Sequence, residues 1–205
     1  MDMTLESCRS FTSALASSAP APGGGGAAAM VGAIGTALGG MVASLTVGKK
    51  KYAAVEAEMQ TIQRRCTDLQ TELLNQVEAD EIGFLPLAHA YAIPKDDPTR
   101  AEITEEATCM ACDVPLKIMH LCCDAIDCIA FLAENGSRLS VSDAGCAAVI
   151  CKAALQAASL NVFANTRSMQ NRQTADELNR QANLMLNKYG PMAEALFTSV
   201  REIFA

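Results

Sequence analysis

The chain has 205 residues, of which 50% are hydrophobic and 19% charged; this suffices for the core of one domain spanning residues 1–205 and is too apolar for a disordered chain. A net charge of −7, no tryptophan and an aromatic share of 4% argue against nucleic acid as a partner, because neither a basic surface nor a base-stacking surface is expected. Nine cysteines, an odd number, and an acidic N-terminus predict a reducing, cytoplasmic location rather than a secreted disulfide framework.

Helix-forming residues dominate the whole chain, and the sequence therefore predicts an all-α bundle of about six helices. A first helix is expected from Thr4 to Ala16. The prolines that follow it, together with the run Gly23–Gly26, predict an irregular segment. An apolar helix then covers Ala27 to Val47, with its large residues at helical spacing among glycines, and Gly48 ends it.

This Ala- and Gly-rich helix is also long enough for a membrane span. Alanine and glycine drive membrane insertion weakly, and no second span follows it, so we expect a soluble core helix that is buried on all sides and no membrane partner. A bundle of this size has little interior in which to bury such a helix. A further partner surface, in the form of a homodimer, is therefore expected.

Four more helices are predicted in the remainder of the chain. Pro86 is expected to kink the first of them, Pro115 lies inside the second, and Gly190-Pro191 is expected to interrupt the last. The third starts at Ser140 or Ser142. Their expected spans are Lys51 to Tyr91, Asp97 to Glu134, Ser140 to Met169, and Thr174 to Phe204.

Two features near the apolar helix permit either a structural or a ligand-binding interpretation. The run Gly23–Gly26 directly precedes a helix, where free backbone N–H groups and the helix dipole favour an anion or ligand, but a flexible connector has the same composition. The run Lys49–Lys51 follows the helix. It suits the negative end of the helix dipole, and it also suits recognition of a multiply charged anion.

Two acidic and two amide side chains are candidates for chemistry. Asp80 precedes a change from polar to apolar sequence, and Asp143 lies at an expected helix start, where capping is the alternative role. Asn161 and Asn165 are four residues apart and share one helix face. Amides among apolar neighbours need hydrogen-bond partners, which another helix or a ligand can supply.

Several cysteines have spacings that resemble metal ligands, but they lie in a continuous helical and apolar pattern. A zinc site with four ligands normally needs loops that let the ligands converge, so core packing is predicted and no metal site. His89 and His120 are isolated in sequence and are expected to be structural. The cysteines concerned are Cys109, Cys112, Cys122, Cys123 and Cys128.

The chain contains a series of short motifs, and in their sequence and order it resembles one known family. The chain is similar to the cyclodeaminase domain of formiminotransferase-cyclodeaminase and to the related stand-alone methenyltetrahydrofolate cyclohydrolases. The resemblance covers almost the whole chain, and the first two motifs together are specific. The motifs are Pro22-Gly-Gly-Gly-Gly26, Leu45-Thr-Val-Gly-Lys-Lys-Lys-Tyr52, Asp80-x-x-x-Phe84, Tyr91-x-x-Pro94-Lys95, Val114-Pro-Leu116, Ser142-Asp-Ala-Gly145 and Asn161-Val-x-x-Asn165.

The resemblance implies an all-helical dimer that binds a tetrahydrofolate derivative, in some cases polyglutamylated, with no cofactor beyond this substrate. It implies a cyclodeaminase that converts 5-formimidoyltetrahydrofolate to 5,10-methenyltetrahydrofolate and ammonia. The alternative is a 5,10-methenyltetrahydrofolate cyclohydrolase, and a further alternative is a non-catalytic bundle that binds folate or a protein. Both reactions pass through a tetrahedral carbon between N5 and N10 and need proton transfer, which a placed carboxylate supplies.

The resemblance also implies roles for individual residues. Asp80 and Asp143 become candidates for acid–base catalysis, although one of them can instead hold the pterin ring. The lysines are expected to bind the glutamate tail, and the glycines to lie against the ligand where a side chain would clash. The full folate-binding set is Pro22, Gly23, Gly24, Gly25, Lys49, Lys50, Lys51, Tyr52, Phe84, Asn161 and Asn165.

Overall fold

The computed structural model describes residues 3–205, and within this range the chain forms α-helices and short 3₁₀ turns but no strand. The prediction of an all-α bundle is confirmed. The 3₁₀ turns are Met3–Leu5, Lys50–Val55 and Arg138–Ser140. The helices are α1 (Cys8–Leu15), α2 (Gly24–Ser44), α3 (Glu56–Ala92), α4 (Arg100–Met110), α5 (Asp113–Asn135), α6 (Val141–Ser168) and α7 (Arg172–Glu202).

Helix α2 is the central helix, and its glycines let three neighbouring helices approach closely. Gly32 faces Leu73 of α3 and Cys122 of α5. Gly35 faces Cys151 of α6, where an added Cβ would lie 2.6 Å from the sulfur. Because interiors are close-packed, a larger residue at Gly35 would push α6 away. The Ala- and Gly-rich core helix is present as predicted.

One face of α2 remains exposed, so the helix is not buried on all sides. Val31, Ile34 and Met41 are between 37% and 51% exposed along it. The neighbouring helix α6 runs antiparallel, because Gly24 lies against Asn161 while Gly35 lies against Cys151. Together the two helices present a surface without charged residues, called the α2–α6 face below: Val31, Ile34, Met41, Leu45, Val149, Ala153 and Leu160.

The predicted helix from Asp97 to Glu134 is wrong, since the chain forms two helices there. Helix α4 ends at Met110, and a turn closed by the Cys112 N–H donating to the Cys109 carbonyl at 3.0 Å leads into α5. Pro115 lies in the first turn of α5, where its missing N–H has no partner to lose. The break brings this junction to the end of the bundle that holds the site described below.

Several other boundaries also differ from the expectation. Gly24–Gly26 form the first turn of α2 instead of an irregular segment, because they pack against α3. Helix α7 continues through Gly190-Pro191, and Pro191 is exposed there while Ala193 beyond it is buried. Packing on both sides therefore holds the helix across the proline. Helix α1 begins only at Cys8, with Ser7 as its N-cap.

Two segments are long and apolar enough to cross a membrane by length and composition alone, Gly24–Ser44 and Arg138–Ser168. The expectation that no second candidate follows the apolar helix is therefore wrong. The bundle buries 56% of the apolar window of the first and 44% of the second. Helix α2 packs on α3, α5 and α6. A core helix of this kind passes the same length and composition test as a membrane-spanning helix.

Candidate functional site

A cavity of about 230 Å³ lies at the end of the bundle where α2 begins. Sites that enclose a whole drug-sized ligand usually measure about 300–1,000 Å³, so one chain encloses only part of a ligand as large as a folate. We call this cavity the glycine pocket. The predicted site residues that line it are Gly23, Gly24, Gly25, Asp80, Phe84, Asn161 and Asn165.

Asp80 projects from α3 onto the first turn of α2. Its Oδ2 accepts a hydrogen bond of 2.8 Å from the Gly26 N–H. A Cβ added at Gly25 would overlap the same carboxylate and lie 2.5 Å from its Cγ. Only glycine therefore leaves room for this side chain, and the N-terminus of α2 places positive backbone dipoles beside it.

The environment of Asp80 acts on its protonation in two opposite ways. Burial raises the pKa of the Asp80 carboxyl above its ordinary value, and the Gly26 N–H partly opposes this increase by stabilising the charged form. A carboxyl group with a raised pKa exchanges protons closer to neutral pH. Such a group, in a cleft, is suited to general acid–base catalysis.

The raised pKa of Asp80 predicts a stability effect. At neutral pH the ionised carboxylate opposes folding, because its folded pKa lies above its unfolded pKa. The protonated carboxyl does not oppose folding in this way. Folding stability is therefore highest below the pKa that Asp80 has in the unfolded chain, and this advantage is lost as the pH rises through the pKa that Asp80 has in the folded protein. The variant Asp80→Asn is expected to raise the melting temperature at pH 7, and the difference should shrink in acid. Thermal unfolding at several pH values measures it; a variant less stable at pH 7 would contradict the prediction.

The two amides stand on the opposite side of the pocket, on α6. Asn161 Nδ2 donates to the Ala157 carbonyl at 3.1 Å, and Asn165 Nδ2 donates to the Ala111 carbonyl at 3.0 Å. Asn161 keeps one N–H and its carbonyl oxygen for a ligand, whereas Asn165, which also hydrogen-bonds with Cys112, keeps its carbonyl oxygen. A fixed amide of this kind can read the donors and acceptors along the edge of a polar ring.

Several pocket residues were not predicted as site residues. Ala111, Val114 and Pro115 reach the pocket because α4 and α5 are separate helices, and the continuous helical pattern gave no sign of that break. Val114 and Pro115 did occur in a family motif, which was the available signal. Glu81 also lines the pocket, and its position next to Asp80 carried no signal of its own.

The lysine run, Tyr52 and Asp143 lie elsewhere, at a place we call the lysine end. Lys49 Nζ donates to Ser137 Oγ at 3.1 Å, and Lys50 and Lys51 follow it in an exposed 3₁₀ turn. The Tyr52 hydroxyl accepts the Arg138 N–H at 3.1 Å, which lowers the pKa of this tyrosine. Asp143 is in the first turn of α6, five residues after Arg138.

One chain does not bring the lysine end to the glycine pocket. Asp143 and Asn161 are on the same straight helix, and 18 residues at 1.5 Å each place them about 27 Å apart. Asp80 and Asp143 are therefore at opposite ends of the bundle. Pro22 is buried and is not among the residues that line the cavity, and a Cβ added at Gly26 would lie 3.5 Å from the Pro22 side chain.

Within residues 3–205, no group of three or more His, Cys, Asp or Glu side chains is arranged to hold a metal ion. Of the cysteines with ligand-like spacing, Cys112, Cys122, Cys123 and Cys128 are buried, the last three among Leu, Ile and Ala of the main core. They fill space between helices.

Comparison with known proteins agrees with the fold and with the motifs. The family model described as formiminotransferase-cyclodeaminase matches residues 7–184. A methenyltetrahydrofolate cyclohydrolase of Methylorubrum extorquens is 38% identical over 96% of both chains. A formimidoyltransferase-cyclodeaminase of Dictyostelium discoideum is 29% identical over 88% of this chain, which spans 33% of that protein.

A solved structure supports the same assignment. The crystal structure of a formiminotetrahydrofolate cyclodeaminase from Thermotoga maritima matches with a TM-score of 0.91 and 25% identity, over 98% of this chain and 99% of that one. The resemblance inferred from the motifs is thereby confirmed. The chain belongs to the formiminotransferase-cyclodeaminase family of folate one-carbon enzymes.

Proposed function

We propose that this enzyme is a 5,10-methenyltetrahydrofolate cyclohydrolase and that Asp80 is its acid–base catalyst. The observation that carries the proposal is the Asp80 carboxylate, partly desolvated and fixed by the Gly26 N–H in a pocket with two amides. The cyclohydrolase reaction is favoured over the deaminase because the Methylorubrum relative with that name is 38% identical along nearly its whole length.

The chemistry needs one group that accepts a proton and returns it. Water attacks the carbon between N5 and N10, and Asp80 accepts the proton that this water loses. The C–N5 bond of the tetrahedral intermediate then breaks as Asp80 returns the proton to N5. The hydroxyl group on the same carbon loses its proton to solvent water and becomes the carbonyl of the formyl group on N10, so the cationic substrate gives a neutral product and one proton. Asn161 and Asn165 orient the pterin ring, and Phe84 lies against its face.

The cyclodeaminase reaction is the second candidate. It is supported by the similarity to the Thermotoga cyclodeaminase structure and to the Dictyostelium relative. Its tetrahedral carbon has the same position but carries an amino group in place of the hydroxyl. The same Asp80 then protonates the departing ammonia, so one pocket accommodates either reaction.

The near-ultraviolet absorbance of methenyltetrahydrofolate distinguishes the two reactions. A cyclohydrolase is expected to speed the loss of this absorbance beyond the rate in buffer and to release no ammonia from 5-formimidoyltetrahydrofolate. Rising absorbance with the formimidoyl substrate, together with ammonia, would assign the deaminase instead. If neither signal changes while folate still binds, both activities are excluded and a non-catalytic folate-binding bundle remains.

We further propose a homodimer formed through the α2–α6 face. On α2 the exposed apolar residues Val31, Ile34, Met41 and Leu45 recur at three-, four- and seven-residue intervals. Helix α2 has no charged residue, and the only charge on α6 between Val149 and Leu160 is Lys152, which is paired with Glu194 of α7. Two antiparallel helices with such a face resemble half of a four-helix bundle. A two-fold axis supplies the other half from an identical surface.

If the two-fold axis passes near the middle of α2 and is perpendicular to that helix, the two copies of α2 in the dimer are antiparallel. Since α2 has 21 residues and is therefore about 30 Å long, the C-terminal end of one copy then lies against the N-terminal end of the other. This arrangement places the partner's lysine end beside the glycine pocket. Lys49, Lys50 and Lys51 of the partner subunit then bind the glutamate tail, and Asp143 of the partner subunit is the second carboxylate of the site.

Co-expression of differently tagged Asp80→Asn and Asp143→Asn chains tests this arrangement. Mixed dimers then contain one site with both substitutions and one intact site. With random assembly half of the dimers are mixed, so activity is expected to recover to about a quarter of wild type. If each site is formed within one chain, or if the protein is a monomer, the activity does not recover. Sedimentation identifies a monomer.

A cytoplasmic location is also part of the proposal. All nine cysteines are free thiols, including the exposed Cys8 and Cys146. Free exposed thiols are typical of a reducing compartment.

A further inference from the structure

We propose that Cys109 and Cys112 form a redox modification site, in which a low-molecular-weight disulfide such as oxidised glutathione converts the two thiols to an intrachain disulfide and thereby weakens ligand binding in the glycine pocket. The second half of this statement rests on the proposed folate-binding function. Neither cysteine has a role in the chemistry proposed above.

The geometry of the α4–α5 junction brings the two cysteines together. Cys109 is in the last turn of α4, and Cys112 is the N-cap of α5. The Cys112 N–H donates to the Cys109 carbonyl at 3.0 Å, so the two residues close a four-residue turn. Such turns hold their end Cα atoms within about 7 Å, close to the range of about 4.4–6.8 Å that disulfides span.

The two thiols differ in access, and this difference sets the order of reaction. Cys109 is partly exposed, whereas Cys112 is completely buried. Burial also raises the pKa of Cys112 to about 11. Cys109 is therefore the thiol that meets a solute first, and Cys112 reacts only with a sulfur placed beside it.

The thiol–disulfide exchange takes place in two steps. The Cys109 thiolate attacks one sulfur of oxidised glutathione and releases the first reduced glutathione, leaving a mixed disulfide on Cys109. The Cys112 thiolate attacks the Cys109 sulfur and releases the second. The protein loses two protons and two electrons, and one oxidised glutathione takes them up and becomes two reduced molecules.

The junction is part of the pocket wall. Ala111, between the two cysteines, lines the pocket, and its carbonyl holds the Asn165 amide at 3.0 Å. The Cys112 sulfur is directed towards the Thr108 carbonyl at 3.5 Å and also hydrogen-bonds with Asn165. A bond to Cys109 turns this sulfur away from both partners. Asn165 then loses its fixed orientation, and we expect the affinity for folate to fall about tenfold, comparable to one lost polar contact.

The experiment uses a Cys8→Ser/Cys146→Ser background, which removes the two exposed cysteines. The protein is treated with oxidised glutathione and digested with trypsin. The tryptic peptide from Ala101 to Lys117 contains Cys109 and Cys112 and no other cysteine, so their disulfide makes this peptide two hydrogen atoms lighter. Affinity for methenyltetrahydrofolate is measured before oxidation, after it, and after reduction by dithiothreitol.

The expected result is the lighter peptide together with a reversible loss of affinity, and neither change when Cys109→Ser is added to the background. An unchanged peptide, or one that keeps glutathione on Cys109, would overturn the disulfide. A lighter peptide with unchanged affinity would overturn its effect on the pocket. If the reduced protein binds no folate at all, the proposed function fails instead, and the peptide mass still decides whether the disulfide forms.

Discussion

Replacement of Asp80 by Asn is expected to lower turnover by about 10²–10⁴-fold, the usual contribution of a positioned acid–base group, and to change folate binding little. Asparagine has the same shape, and its amide oxygen can still accept the Gly26 N–H that now donates to Asp80 at 2.8 Å. It has no group that takes a proton from water. The loss should therefore appear in kcat and leave the dissociation constant of the substrate near its wild-type value.

Glu81→Gln is the matched control for this variant. Glu81 directly follows Asp80 in α3 and lines the same pocket, but its side chain is exposed and is not fixed by the backbone of α2. Its substitution should leave turnover within a few-fold of wild type. Near-normal turnover in Asp80→Asn would move the acid–base role to another group, Asp143 first. The expected rise in melting temperature of Asp80→Asn separates a chemical defect from unfolding.

The general fold was predictable because it depends on local preference and periodicity. The spacing of Met30, Ile34, Leu38 and Met41 predicts a helix, and the glycines between them predict close neighbours. The glycine run was assigned as irregular, because glycine is a poor helix former. Packing of Gly25 and Gly26 against Asp80 overrides this preference and extends α2 by three residues.

The α4–α5 break shows the opposite limit. Ala111 and Cys112 carry no helix-breaking signal, and the apolar pattern continues through them. The two helices pack against different neighbours, α4 mainly against α3 and α5 mainly against α6. The direction change therefore depends on tertiary contacts between residues distant in sequence, which periodicity does not encode.

The site was predictable only in part, for a similar reason. Asp80 and Gly26 are 54 residues apart, so their contact follows from the packing of α3 on α2 and not from any local pattern. The family motifs supplied both residues but gave no positions in space. The same motifs supplied Asp143, which the structure places at the opposite end of α6. A motif list therefore does not distinguish residues of one pocket from residues at opposite ends of the bundle.

Gly25→Ala is expected to reduce turnover about as strongly as Asp80→Asn. The new Cβ would lie 2.5 Å from the Asp80 Cγ, a distance that side chains do not adopt, so the carboxylate has to swing away and lose the Gly26 N–H. The helix itself is not weakened, because alanine favours a helix by about 1 kcal/mol over glycine. Gly23→Ala and Gly24→Ala are the matched controls: an added Cβ meets nothing within 4 Å at Gly23 and only the Asn161 amide at 3.5 Å at Gly24.

The double variant Asp80→Asn/Gly25→Ala shows whether the two residues act through the same contact. If Gly25 matters only because it leaves room for the Asp80 carboxylate, the second substitution adds almost nothing to the first, and the measured losses are far from additive. Additive losses would mean that the ligand itself contacts Gly25 and needs the space that a Cβ would fill. In that case the first turn of α2 binds substrate directly, and substrate affinity should fall in Gly25→Ala while it is unchanged in Asp80→Asn.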